Sequence, residues 1–181
     1  MPSRMMCGAL GIILLAAAAG QTQPDEKPNN LLVFGHGFAF GVVEPVGWHG
    51  DTDEIAKKYQ ANVVFQSPSE PGKNDLTIRV RVNNKVDEDT IEDLNYDMDG
   101  YKKEFPNVQF SDLTVAHPEY ATFARTAFVP NQFYEYVAYV NPGTGKRFVL
   151  SIAMSKKGEP ASGEELKAYE TVLKSIVWLS R

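Results

Sequence analysis

Hydrophobic and polar positions change period several times along this chain, and each period predicts an element. Phe38-Ala39-Phe40-Gly41-Val42-Val43 is a short apolar run rich in strand formers, ended by Pro45 and Gly47 before Trp48. Leu31–Phe34 is read as a preceding strand or an extension of that run. Asp51–Tyr59 predicts a short helix capped by Asp51 or Thr52, and 62–66 a strand. From Leu76 to Val82 the alternation is strict: Leu76, Ile78, Val80 and Val82 face one way, Thr77, Arg79 and Arg81 the other. The period then lengthens. Ile91, Leu94, Met98, Tyr101 and Phe105 form one helical stripe, with Asp89 and Glu92 placed as a capping box and Pro106 as the stop.

Four strand patterns follow, over 108–116, 120–129, 133–141 and 147–155, and Pro130-Asn131 and 141–145 (NPGTG) read as hairpin turns. A last helix is predicted from Ser162 to about Lys174. Ser162 and Glu165 form its capping box, and Leu166, Tyr169, Val172, Leu173 and Ile176 its buried stripe. Short links between the late strands require antiparallel pairing. Long amphipathic helices packed on such a sheet make an α+β domain, expected over 31–181.

The N-terminus follows another logic. Arg4 precedes an apolar stretch from Ala9 to Ala19, and small residues at Ala18 and Gly20 suit cleavage before Gln21. This is the pattern of a secretory signal peptide over 1–20, too short to span a bilayer, which needs about 20 apolar residues. Export to the periplasm or outside the cell is expected, with no stable membrane insertion after cleavage; retention as an anchor is the alternative. Residues 21–30 (QTQPDEKPNN) read as a flexible leader. Cys7 is the only cysteine and precedes the apolar core, so the mature chain is expected to lack disulfides, thiolate nucleophiles and Cys-ligated metal. Removing 1–20 takes away Arg4 and leaves 17 Lys and Arg against 23 Asp and Glu. That acidic balance argues against a nucleic-acid partner.

The aromatic strand Phe38-x-Phe40 running into Pro45-x-Gly47-Trp48, and the closing strand Phe148–Met154 followed by a helix ending Leu173-x-Ser175-Ile176, resemble the PsbP-like superfamily, which includes DcrB-like bacterial envelope proteins. The resemblance covers about 38–180. It implies an α/β/α sandwich around an antiparallel sheet and a non-catalytic protein that binds a partner or assists an assembly, and it carries over no binding residue.

Candidate chemistry is sparse. Asn95-Tyr96-Asp97-Met98-Asp99-Gly100 has the first half of a calcium loop, but the twelfth position is Pro106, and the helical stripe runs through it. The histidines His36, His49 and His117 lack the short spacing of a zinc site, so no metal and no cofactor is expected. Gly35-His36-Gly37 has no nucleophile elbow downstream, and the closeness of Ser111, Asp112 and His117 does not make a triad. Gly143-Thr144-Gly145-Lys146 ends like a phosphate loop but joins two strands. Arg79 and Arg81 share a strand face, and with Arg125 and Arg147 they are placed to meet a carboxylate or phosphate; a charged face that discourages edge pairing is the simpler reading. Trp48, with His49 beside it, is the candidate contact site if its turn is exposed.

The function expected is an exported, non-catalytic binding or assembly-accessory protein of the cell envelope, with an unknown protein partner or a small anionic ligand. A periplasmic small-ligand or metal-ion binder is the alternative, and a hydrolase comes third.

Overall fold

A computed structural model describes residues 29–68 and 76–179. The expected signal peptide lies outside the described residues, as does the expected leader up to residue 28.

The described residues form a mixed α+β fold with two antiparallel sheets and three helices. Strands β1 (Asn30–Gly35) and β2 (Phe38–Val43) make a hairpin, and β3 (His49–Asp51), helix α1 (Glu54–Lys58), β4 (Val63–Gln66) and β5 (Thr77–Asn84) follow. Helix α2 (Ile91–Glu104) precedes β6 (Gln109–Asp112), β7 (Ala121–Val129), β8 (Phe133–Asn141) and β9 (Phe148–Lys157); helix α3 (Gly163–Ser175) and the short β10 (Val177–Trp178) close the chain. The large sheet has the order β3-β4-β5-β9-β8-β7-β6, the small one β1-β2-β10. The predicted meander is the run β6-β7-β8-β9, and β5 joins its inner end by pairing with β9.

Alternation decides which face each residue serves. Ile78 and Val80 stand opposite Met154 and Ile152, and Tyr136 and Ala138 continue those rows on β8. This face is covered by Tyr169, Val172 and Leu173 of α3, all fully buried, together with Phe40 and Val42 of the small sheet. The opposite face carries Val137, Tyr139 and Val149, against which Leu94 of α2 packs. Strand β8 is therefore covered on both sides, which explains why its aromatic residues point both ways.

The helix ends refine the expected caps. Asp51 serves α1 from outside, its Oδ1 accepting from the N–H groups of Asp53, Ile55 and Ala56 at 2.9–3.0 Å. At α2 the Ile91 N–H donates to Asp89 Oδ1 at 3.1 Å, while Thr90, the residue in the cap position, makes no side-chain cap bond. The capping box of α3 forms as expected from Ser162 and Glu165.

Candidate functional site

Trp48 follows a tight turn that Gly47 permits by adopting φ 76°, and the Trp48 N–H closes it on the Pro45 carbonyl at 3.0 Å. The condition set on Trp48 as a contact site, an exposed turn, is not met by its side chain: the residue is only 9 % accessible and belongs to the main core. What solvent sees is a groove of about 700 Å³ between this turn and α3, walled by Val46, Trp48, Pro68 and Ala168 and rimmed by Glu44, Glu164 and Lys167. His49 stays exposed on the edge strand β3, opposite Gln66.

Arg79 and Arg81 do share a face, the one α2 covers. Arg79 stands in a row that runs through Ala153 and Val137 to Arg125 and Asp112. Each guanidinium is already engaged. Arg79 donates to Glu135 and, at 2.6 Å, to Ser155 Oγ. Arg81 donates to the Tyr59 carbonyl at 2.7 Å, and Arg125 pairs with Asp112. Arg147 sits beyond the strand, held by Asn84 at 2.9 Å.

Glu135 is the hub of this network, since the Tyr101 hydroxyl of α2 donates to its second oxygen. Beside it, a pocket of about 430 Å³ is lined by Asp97, Tyr101, Glu104, Phe105, Phe133 and Glu135. Burial, with the Glu135 charge nearby, pushes the Asp97 carboxyl up to about 6. Burial and the same carboxylate raise the Tyr101 phenol far above its usual range. Sequence reasoning saw the arginines, and met Asp97 and Tyr101 only as parts of a half calcium loop and a helical stripe; it missed Glu135 and the network, because the strand order that joins them is invisible locally.

The other motifs resolve into structure. Helix α2 runs unbroken through Asn95–Gly100, so the half calcium loop is helix. His117 is buried, its Nε2 donating to the Ile176 carbonyl at 2.8 Å while Nδ1 accepts from the Glu119 and Tyr120 N–H groups at 3.0 Å. With both ring nitrogens engaged by backbone, and Asp112 paired with Arg125, no Ser111–His117–Asp112 relay exists in this arrangement. The turn at 143–146 is a β8–β9 connection closed by Lys146 N–H to the Gly143 carbonyl at 3.3 Å.

The most unusual surface is the outer face of the small sheet. Leu32, Gly41 and Val177 share one row. Phe34 faces Ala39, whose carbonyl accepts from Leu179 N–H at 2.9 Å. Leu32, Phe34, Val177 and Leu179 are 60 %, 71 %, 51 % and 48 % accessible. β1 (NLLVFG) is an edge strand, and among the described residues nothing pairs with its far side. The edges of the large sheet are protected differently: β3 is three residues long and β6 carries the charged Asp112. β1 has neither charge nor proline.

No protein-family model matches the chain, and no curated protein matches its sequence. Among solved structures it is similar to the crystal structure of LpqN, a protein involved in cell envelope biogenesis of Mycobacterium tuberculosis, with a TM-score of 0.58 and 16 % sequence identity over 85 % of this chain and 92 % of that one. The likeness extends over nearly the whole of both chains and shows a shared fold.

Proposed function

We propose that this protein is an exported, non-catalytic accessory of the cell envelope, PsbP-like in family, that docks a partner protein by accepting an extended apolar segment as an added strand on β1. The observation that carries the reading is the uncharged edge of β1 together with the apolar face beside it. An edge strand presents unpaired backbone donors and acceptors, which an incoming strand satisfies while its side chains cover alternate pockets. Exposed apolar surface of this extent in a soluble domain marks an interaction site. The fold likeness to LpqN supports an envelope role. The engaged state of His117, Arg79 and Glu135 supports a binding role over hydrolysis.

Site-specific photocrosslinking from position 34 in cells tests it. The expected adduct joins residue 34 to an extended apolar segment of an envelope protein, and Leu32→Lys abolishes it without unfolding the domain. An adduct only with a second copy of this chain, or none at all, would overturn the reading.

A further inference from the structure

Two sequence motifs that carry no chemistry alone meet in space. The β1–β2 turn, with His36 and Gly37, and the β8–β9 turn, with Gly145 and Lys146, line one pocket of about 390 Å³ together with Arg147, Phe148 and Trp178. Both turns need glycine where they bend, with φ 82° at Gly37 and 73° at Gly145. A Cβ at Gly37 would stand 3.6 Å from the Phe148 ring, so the first turn rests on Phe148, the first residue of β9.

The walls divide by chemistry. Phe38, Phe148 and Trp178 form an aromatic cluster with ring centroids 5.6–6.3 Å apart. The Arg147 guanidinium lies 5.5 Å over the Phe148 ring, and its Nε is fixed by Asn84 at 2.9 Å. Its two terminal nitrogens and the Lys146 ammonium meet no acceptor among the described residues. The Trp178 Nε1 is likewise buried without an acceptor among them. Among the described residues no carboxylate lines the pocket; Glu88 accepts from the Gly145 N–H at 3.2 Å and lies 3.8 Å from Lys85. A pair of cations with no ion-pair partner among the described residues is notable in a chain of net charge −5.

We infer that this pocket binds an organic phosphate, with Lys146 and Arg147 holding the phosphate group and Phe148 and Trp178 stacking on the apolar body. A phosphate monoester carries about −1.5 to −2 charges at neutral pH, which matches two cations better than a carboxylate does. A guanidinium pre-oriented by stacking and by one hydrogen bond keeps its fork for the phosphate oxygens, while lysine serves as a point charge. His36 supplies a further ring donor at the mouth.

Isothermal titration of the mature chain with phenyl phosphate, and separately with inorganic phosphate, tests the site at low salt. Saturable one-to-one binding is expected, tighter for phenyl phosphate by about tenfold because of the aromatic wall. Lys146→Ala with Arg147→Ala should weaken it at least tenfold, and Arg147→Lys severalfold, since charge survives but the fork is lost. These positions lie on a turn, so circular dichroism should show the fold unchanged. Sedimentation with phosphatidylglycerol vesicles separates two sources of the phosphate. Vesicle binding that phenyl phosphate displaces assigns the site to a lipid headgroup, and soluble binding alone assigns it to a free organic phosphate. No saturable binding of phenyl phosphate, equal affinity for both soluble probes, or undiminished binding by the double variant would overturn the inference.

Discussion

Glu135 of β8 holds Arg79 of β5 across the intervening strand β9, whose Ser155 donates to the same carboxylate oxygen at 2.8 Å. Three strands are thus tied by one carboxylate, and Tyr101 ties α2 to it as well. The side chains of the pair are only 19 % and 10 % accessible, so each charge depends on the other.

Removing one partner leaves an uncompensated charge under α2, a change that costs about 3–5 kcal/mol in fully buried pairs. For this partly buried pair, Glu135→Gln and Arg79→Met should each lower unfolding free energy by about 2–3 kcal/mol. The double substitution should cost less than the two single changes together, because no lone charge remains. Urea denaturation of all four proteins measures the coupling, and strict additivity would show that the pair contributes nothing.

Asp97 supplies a pH dependence of unusual sign. Its carboxyl is raised to about 6 in the folded state, first by burial and then by Glu135. Between the unfolded value of about 3.9 and the folded value, the native state binds more protons than the unfolded one, so stability falls as pH rises through that window. The group's contribution is fully favourable below the window and lost above it. Allowing for partial solvent access, Asp97→Asn should gain about 1–2 kcal/mol at pH 7 and nothing near pH 4. Chemical denaturation at both pH values provides the comparison, and equal gains at both would remove Asp97 as the source.

His117 gives a stability test independent of charge pairing. Its ring satisfies one carbonyl and two N–H groups, and it stacks on Tyr120 with centroids 4.3 Å apart. His117→Phe keeps the stacking plane but orphans the three backbone groups, at about 1–3 kcal/mol for each that water cannot reach. A total loss of at least 2 kcal/mol in a thermal or urea melt is expected. A loss below 0.5 kcal/mol would mean that solvent reaches those groups.

Local periodicity carried most of the fold. The boundaries of β2 and β8 were legible to the residue, and α3 with its capping box within one, because amphipathic period and cap chemistry are local. Strands β3 and β10, of three and two residues, are too short to show alternation; they exist because β4 and β2 offer them partners. The split of the strands into two sheets was likewise unreadable. Around the candidate sites the limit is different. The common face of Arg79 and Arg81 follows from their spacing of two, but Glu135 is 56 residues from Arg79, and only the β5-β9-β8 order brings them together. Whether Trp48 is exposed could not be read from the Pro-x-Gly-Trp pattern; Gly47 turns the following residue back onto the core.

Strand β1 separates stability from docking within six residues. Val33 is 5 % accessible and stands opposite the fully buried Phe40, while its neighbours Leu32 and Phe34 are 60 % and 71 % accessible on the other face. Because side chains alternate along a strand, substitutions one residue apart should differ in kind. Phe40→Ala should cost about 3–5 kcal/mol, and Val33→Ala a smaller part of that, through lost burial and the cavity left behind. Leu32→Lys and Phe34→Lys remove no core contact and should stay within about 0.5 kcal/mol of the parent. Charges on an exposed edge oppose strand addition, so both variants should be more soluble at high concentration, and Leu32→Lys should also abolish the position-34 crosslink. Equilibrium denaturation combined with light scattering reads both properties. If Leu32→Lys and Phe34→Lys unfolded the domain, the outer face would be part of its core, and β1 would have no free surface to offer a partner.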